Sequence, residues 1–142
     1  MPAFATDSTG TSGDDRGLSA ALLASVGAHV LTGLAHGGVH ALVPVPLARW
    51  QLGLVAVSVV AGPLVGCWLV VTGRARAGGL LVAASLLVAF GFELLAHFVV
   101  PTPDHVGAVH RRHASFAATA ALSVVTDGVG VVAGLAYWRR TG

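Results

Sequence analysis

The run GGLLVAASLLVAFGFELLAHFVV, residues 78–100, is apolar throughout except for Glu93 and His97. A helix of about 20 apolar residues is long enough to cross a bilayer. The basic segment 74–76 precedes the run, and Pro101, which cannot continue a helix, follows it. The run therefore predicts a transmembrane helix that carries two ionisable groups near its end.

Similar runs occur on both sides of this one. Nothing with a formal charge lies between Arg16 and Arg49, or between Arg49 and Arg74. The arginines and prolines at the boundaries predict membrane-spanning helices over about residues 18–42, 50–71, 78–100 and 112–138. Gly62-Pro63 is expected to kink the second helix. The predicted fold is all-α, a polytopic four-transmembrane-helix bundle that occupies residues 17–142.

The composition points to the same class of protein. Of 142 residues, 55% are hydrophobic and 10% are charged, whereas a soluble domain carries about 25% charged residues. A chain this short cannot bury so much apolar surface in its own core. The net charge of +2 is too small for a nucleic-acid surface. A single cysteine, Cys67, excludes an intramolecular disulfide and a cysteine-based zinc cluster.

Residues 1–16 are polar and predict a disordered tail. The tail does not begin with the positive region of a secretory signal. With four spans, one face of the membrane receives Arg16, Arg74, Arg76, Arg139 and Arg140, and the other receives Arg49, Arg111 and Arg112. Cytoplasmic segments carry the excess of basic residues. We therefore expect a multi-pass protein of the cell membrane with both termini in the cytoplasm.

Ionisable groups inside a bilayer are costly and usually face the bundle interior. In this chain most of them collect near the outer face. His36 and His40 lie one helical turn apart, about 6 Å along the axis, and Glu93 and His97 repeat that spacing. Such pairs are half-sites for zinc, copper or iron. The candidate metal ligands are His36, His40, Glu93, His97, His110 and His113.

Haem is the alternative cofactor, because helical bundles hold haem between histidines on facing helices. The candidate haem-binding residues are His36, His40, His97 and His113. His29 and Asp127 are the deepest ionisable groups, at similar depths on the first and last helices. They are candidates for a proton relay, or for a buried pair that only fixes one helix against the other.

The acidic Thr/Ser/Gly stretch 5–10, the use of arginine without lysine, and the motif His36-Gly37-Gly38-Val39-His40 resemble small, uncharacterised integral membrane proteins of haloarchaea. The resemblance implies a four-helix membrane protein and no activity.

The sequence is compatible with three functions and does not decide among them. The first is metal or haem binding by the His/Glu cluster. The second is a non-enzymatic accessory or assembly subunit of a membrane complex. The third is a small transporter or proton relay centred on His29 and Asp127. Whether the chain is an enzyme is undecided. The expected partners are the lipid bilayer and another membrane protein or a second copy of the chain, and not nucleic acid.

Overall fold

The computed structural model describes residues 10–43 and 45–142, with side chains from residue 16 onward. These residues form four long helices and no strand. Their bounds are Gly10–His40 (α1), Arg49–Val71 (α2), Ala75–Val99 (α3) and His113–Arg140 (α4). All four are long and apolar enough to cross a membrane. The predicted all-α bundle is confirmed, and the chain is a multi-pass membrane protein.

The first helix includes residues before the predicted start at about residue 18. Helix α1 begins at Gly10, inside the stretch 1–16 that was expected to be disordered. Residues 1–9 of that stretch lie outside the described residues. No proline occurs between Gly10 and Arg16 to stop the helix. It therefore starts nearly two turns before the apolar segment.

A tight turn joins α2 to α3. Gly73 adopts a positive φ of 87°, which glycine reaches without steric cost. Its N–H donates to the carbonyl of Val70, and the next N–H, of Arg74, donates to the carbonyl of Leu69. This pair of bonds is a Schellman motif, which satisfies the last carbonyls of α2. The turn brings α2 and α3 together as antiparallel neighbours.

The disruption expected at Gly62-Pro63 takes the form of a π-helical segment, Val55–Ala61, within α2. Pro63 has no N–H, so the carbonyl of Val59, four residues earlier, loses its α-helical donor. The N–H of Gly62 donates to the carbonyl of Val57, five residues back. The segment therefore leaves the Val59 carbonyl free for a partner outside its own helix.

Each helix packs on its neighbours around a ring in the order α1, α4, α3, α2, and the α1–α2 seam is the lightest. Glycines set the closest approaches. A Cβ added at Gly78 would lie 2.5 Å from the carbonyl oxygen of Gly66, and one added at Gly134 would lie 2.9 Å from that of Gly79. The α2–α3 and α3–α4 pairs thus meet backbone to backbone, as membrane helices often do.

Gly33 and Gly37 form a G-x-x-x-G pattern in α1 without such a contact. A Cβ added at Gly33 would meet the side chain of Val59 at an ordinary 3.7 Å. One added at Gly37 would meet nothing within 4 Å. Space is left beside this part of α1.

The bundle interior changes character along its length. At the end that holds both termini, the core is apolar. Its buried members are Leu22, Val26, Val70, Val82, Leu86 and Tyr137. Toward the other end, the buried residues of α1 become polar, from Ser25 and His29 to Thr32 and His36. Large aliphatic side chains such as Leu31 and Val132 are exposed on the outside, where lipid solvates them.

The glycine contacts generate a stability prediction. Gly78→Ala should lower the free energy of unfolding by about 1–3 kcal/mol, because the new Cβ would overlap backbone atoms that cannot move aside. Gly27→Ala is the matched control, since a Cβ there meets nothing within 4 Å. Thermal unfolding in detergent, followed by circular dichroism, measures both. Equal melting temperatures for the two variants would contradict the close packing.

Candidate metal centre

The interior of the bundle near the ends of α1 and α3 brings three donor atoms together. Nε2 of His36 lies 3.2 Å from Nε2 of His97. Oε2 of Glu93 lies 3.0 Å from the same nitrogen of His97 and 3.8 Å from that of His36. All three residues are buried. Three of the predicted ligands thus form a compact triangle.

Hydrogen bonds on the far side of each ring assign the protons. Nδ1 of His97 lies 2.8 Å from the carbonyl oxygen of Asp104, which can only accept, so this nitrogen carries the hydrogen. Nδ1 of His36 lies 3.0 Å from Oγ1 of Thr119, whose hydroxyl already donates to the carbonyl of Ser115. His36 therefore donates to Thr119. When the two rings are neutral, Nε2 of each has its lone pair facing the triangle.

Oε2 of Glu93 accepts no hydrogen bond of good geometry from the described residues, although it is buried. Nε2 of His97 nevertheless stands within hydrogen-bonding distance of both Oε2 of Glu93 and Nε2 of His36, so the triangle can be held together by a shared proton or by a cation. Without a proton or a metal cation among them, these atoms would repel one another at such distances. Ligands about 2.1 Å from a tetrahedral zinc stand roughly 3.4 Å apart. The observed separations of 3.0, 3.2 and 3.8 Å bracket that value.

His40 and Asp104 border the triangle. One ring nitrogen each from His36, His40 and His97 lie within 4.8 Å of one another. Nδ1 of His40 is buried and has no hydrogen-bond partner in the described part of the chain. Its Nε2 lies 3.4 Å from Oδ1 of Asp104, and Oδ2 of Asp104 lies 3.7 Å from Nδ1 of His97. Either residue could supply a fourth ligand after a small side-chain movement.

Asp104 was missed by the sequence analysis because it lies in the loop between α3 and α4. It is only 4% exposed, and burial raises the pKa of its carboxyl group, although His97 and His40 oppose the shift. One signal was present in the sequence. Beyond the N-terminal tail, the chain has three acidic residues, and the structure places all of them beside histidines.

The loop reaches the site because it folds back over the end of α3. The hydroxyl of Thr102 donates to the carbonyl of Ala96, and the N–H of Val106 donates to the carbonyl of His97. The end of α3, Leu95–Val99, is a second π-helical segment, and it contains His97. Single π turns frequently occur at functional sites. The loop covers His97 and gives it a backbone acceptor.

His110 and His113, also predicted as ligands, are exposed and do not join the cluster. Helix α4 begins only at His113, after Arg112 in the left-handed conformation with φ 54°. Nδ1 of His113 lies 3.1 Å from the carbonyl oxygen of Val109, so this ring bonds to the loop. The position where α4 begins thus directs both histidines away from the bundle interior.

The spacing of His36 and His97 bears on the predicted haem site. Two axial nitrogens stand about 4 Å apart across an iron atom, with the macrocycle between them. The facing nitrogens of His36 and His97 are only 3.2 Å apart, and their ring centroids are 4.9 Å apart. The rings of His40 and Phe116 pack on His36 at 4.6 and 5.4 Å. In this arrangement the gap between the His36 and His97 rings is too narrow for a macrocycle.

A cavity of about 190 Å³ adjoins the donors and is only partly enclosed. Its polar wall consists of His36, His40, Glu93, His97 and Asp104, and its other wall of Gly33, Gly37, Leu47, Val55, Val59 and Phe92. A metal bound by the triangle would therefore have open space on one side. Catalytic metal sites keep such an open position, whereas structural sites are closed.

His29 and Asp127 form a second buried polar site, deeper in the membrane. Nδ1 of His29 lies 2.5 Å from Oδ1 of Asp127, and the two side chains are 3% and 1% exposed. Nε2 of His29 lies 2.7 Å from the carbonyl oxygen of Val59, the one freed by Pro63, and donates to it. One proton must then lie between the imidazole and the carboxyl group. The pair ties α1, α2 and α4 together.

No protein-family model, no curated protein and no solved structure matches this chain. Conclusions about function therefore rest on the geometry of these two buried sites.

The deep pair generates a second stability prediction. His29→Leu and Asp127→Leu should each destabilise the bundle by about 3–5 kcal/mol, because each leaves one buried ionisable group without its partner. The double variant should lose much less than the sum of the two. Unfolding of all four proteins in mixed micelles of increasing denaturing detergent measures the coupling. Additive losses would show that the pair does not stabilise the bundle through its mutual contact.

Proposed function

We propose that this chain is an integral membrane metalloprotein that holds one divalent transition metal within its helical bundle. His36, His97 and Glu93 are the primary ligands, and His40 or Asp104 completes the set. The observation that supports this most strongly is the convergence of three buried donor atoms from α1 and α3, with the Nδ1 atoms of both histidines hydrogen-bonded on the far side of each ring. A cation relieves their mutual repulsion, and the protein already places them at ligand-to-ligand distances.

The donor types narrow the choice of metal. Imidazole nitrogen suits zinc, copper and iron, whereas calcium and magnesium prefer oxygen alone. Two or three imidazoles with one carboxylate therefore favour a first-row transition ion. The hydrogen bonds from Nδ1 of His97 to a carbonyl and from Nδ1 of His36 to Thr119 orient both rings, as outer partners of metal ligands commonly do.

We place the site near the outer face of the cell membrane, with both termini in the cytoplasm. The ends of the chain and the α2–α3 turn share one side, which has five arginines against three on the other. That excess favours the cytoplasm for the termini. The site lies at the opposite ends of α1 and α3. There, the cavity beside the donors leaves the metal available for chemistry or exchange.

The His29–Asp127 pair supports a second candidate function, a proton relay or small proton-coupled transporter. Oδ2 of Asp127 and Oγ of Ser123, one turn away on α4, are buried without a hydrogen-bond partner among the described residues. Ionisable groups at this depth are often functional. In liposomes, Asp127→Asn would abolish proton flux under this alternative while leaving the bundle folded.

Metal analysis tests the proposal directly. Protein purified in detergent and supplied with Zn²⁺, Co²⁺ or Fe²⁺ should retain about one ion per chain, and Co²⁺ should give visible ligand-field bands. His36→Ala and His97→Ala should lose the ion, because each removes a primary ligand. His110→Ala and His113→Ala are matched controls, since these two histidines are exposed.

The results separate the candidates. A Soret band in protein supplied with haem would contradict a bare-ion site. The accessory-subunit function would be supported instead if the unmodified protein holds no metal. In that case His36→Ala and His97→Ala should alter stability without changing the metal content. Loss of metal from the His110 and His113 variants would contradict the assignment of ligands.

Thr119 provides an independent test. Thr119→Val removes the acceptor for Nδ1 of His36 without touching the metal, and affinity should fall about 10–100-fold. Thr126→Val is the matched control on the same helix, because the Thr126 hydroxyl bonds only to carbonyls of its own helix. Competition with a coloured chelator measures both affinities. Equal affinities in the two variants would mean that Thr119 does not orient His36.

A further inference from the structure

The cavity beside the metal ligands has two chemically different walls. One is formed by the five polar donor residues and the other by small and apolar side chains. Gly33 and Gly37 from α1 face Val55 and Val59 from α2, and Phe92 lies next to Glu93. A molecule bound at the free position of the metal would contact the donors at one end and hydrocarbon at the other.

The size of the cavity limits which molecules can enter it. A volume of about 190 Å³ is below the roughly 300 Å³ at which pockets for drug-sized ligands begin. The cavity therefore suits a small ligand bound beside the donor atoms.

The charge of the site further limits the chemical class of the ligand. The carboxyl groups of Glu93 and Asp104, both buried at the site, offset the charge of a divalent ion. No arginine lies among the residues that line the cavity. An anion would lose its hydration against the apolar wall and gain little net attraction in return. An uncharged ligand meets neither cost, and small apolar cavities readily take up uncharged molecules.

We propose that the open side of the metal site binds a small uncharged diatomic molecule, of the class of dioxygen and nitric oxide. The inference rests on the proposed metal site and adds its ligand. Gly37 determines access, because its missing side chain leaves the space beside the donors unfilled. A larger residue at this position would fill the cavity without replacing any metal ligand.

The experiment uses the Fe²⁺-loaded, full-length protein in detergent under anaerobic conditions, with nitric oxide as the probe. Electron paramagnetic resonance should show an iron–nitrosyl signal that saturates at the iron content. Gly37→Leu should retain its iron and bind nitric oxide roughly tenfold more weakly or worse, and Gly37→Ala should fall in between. Gly38→Leu is the matched control. A Cβ at Gly38 also meets nothing within 4 Å, but this residue does not line the cavity.

Iron content is measured first, so that two failures can be distinguished. Protein that does not hold iron contradicts the proposed metal site. Loaded protein that gives no nitrosyl signal overturns the inference about its ligand. The inference is also overturned if azide, an anion of similar size, binds in preference to nitric oxide, or if Gly37→Leu and Gly38→Leu bind nitric oxide equally well.

Discussion

Every polar group inside a bilayer must find its partner within the protein, because lipid offers none. In this bundle the groups that need such partners lie mainly on the polar face of α1. His29 and His36 lie on it about two turns apart, and both are buried. Their partners come from the other helices: Asp127 and Thr119 from α4, the Val59 carbonyl from α2, and His97 from α3. These bonds fix the rotation of α1 and its depth relative to the other three helices.

The remaining packing fits around this polar core. Glycine pairs bring α3 into backbone contact with α2 and α4, so those three helices form a tight unit. Helix α1 lacks such a contact with α2 and is held to the bundle by α4 and by its buried histidines. The space left between α1 and α2 is where the cavity lies. Close packing on one side of the ring and polar pairing on the other thus place an open volume beside the donors.

Local patterns were sufficient to predict the four spans. Each span lacks charged residues over most of the bilayer's thickness and is bounded by prolines or arginines. Both features can be read from one segment without knowing how it packs. The 3.6-residue period also predicted that His36 and His40 share a face, and their rings lie 4.6 Å apart. Counting depth along two helices put His29 near Asp127, and the structure joins them.

What the sequence could not provide depends on contacts between distant segments. Asp104 reaches the site only because Thr102 and Val106 bond back to α3, and no periodicity encodes a loop's path. The positions of His110 and His113 depend on α4 starting after a left-handed Arg112, which no glycine or asparagine marked. The closest glycine contacts could not be singled out either, because so Gly-rich a chain contains many equivalent spacings.

The loop folded over His97 affects how a solute can reach the donor atoms. The loop covers His97 at the end of the bundle, and the cavity lies beside the lightly packed seam between α1 and α2. That seam faces the acyl chains. A solute that entered through this seam would reach the donors by diffusing within the plane of the bilayer, at a rate set by its partitioning into lipid and by the fluidity of the acyl chains. The solubility of each solute in the lipid would then determine which solutes reach the donor atoms.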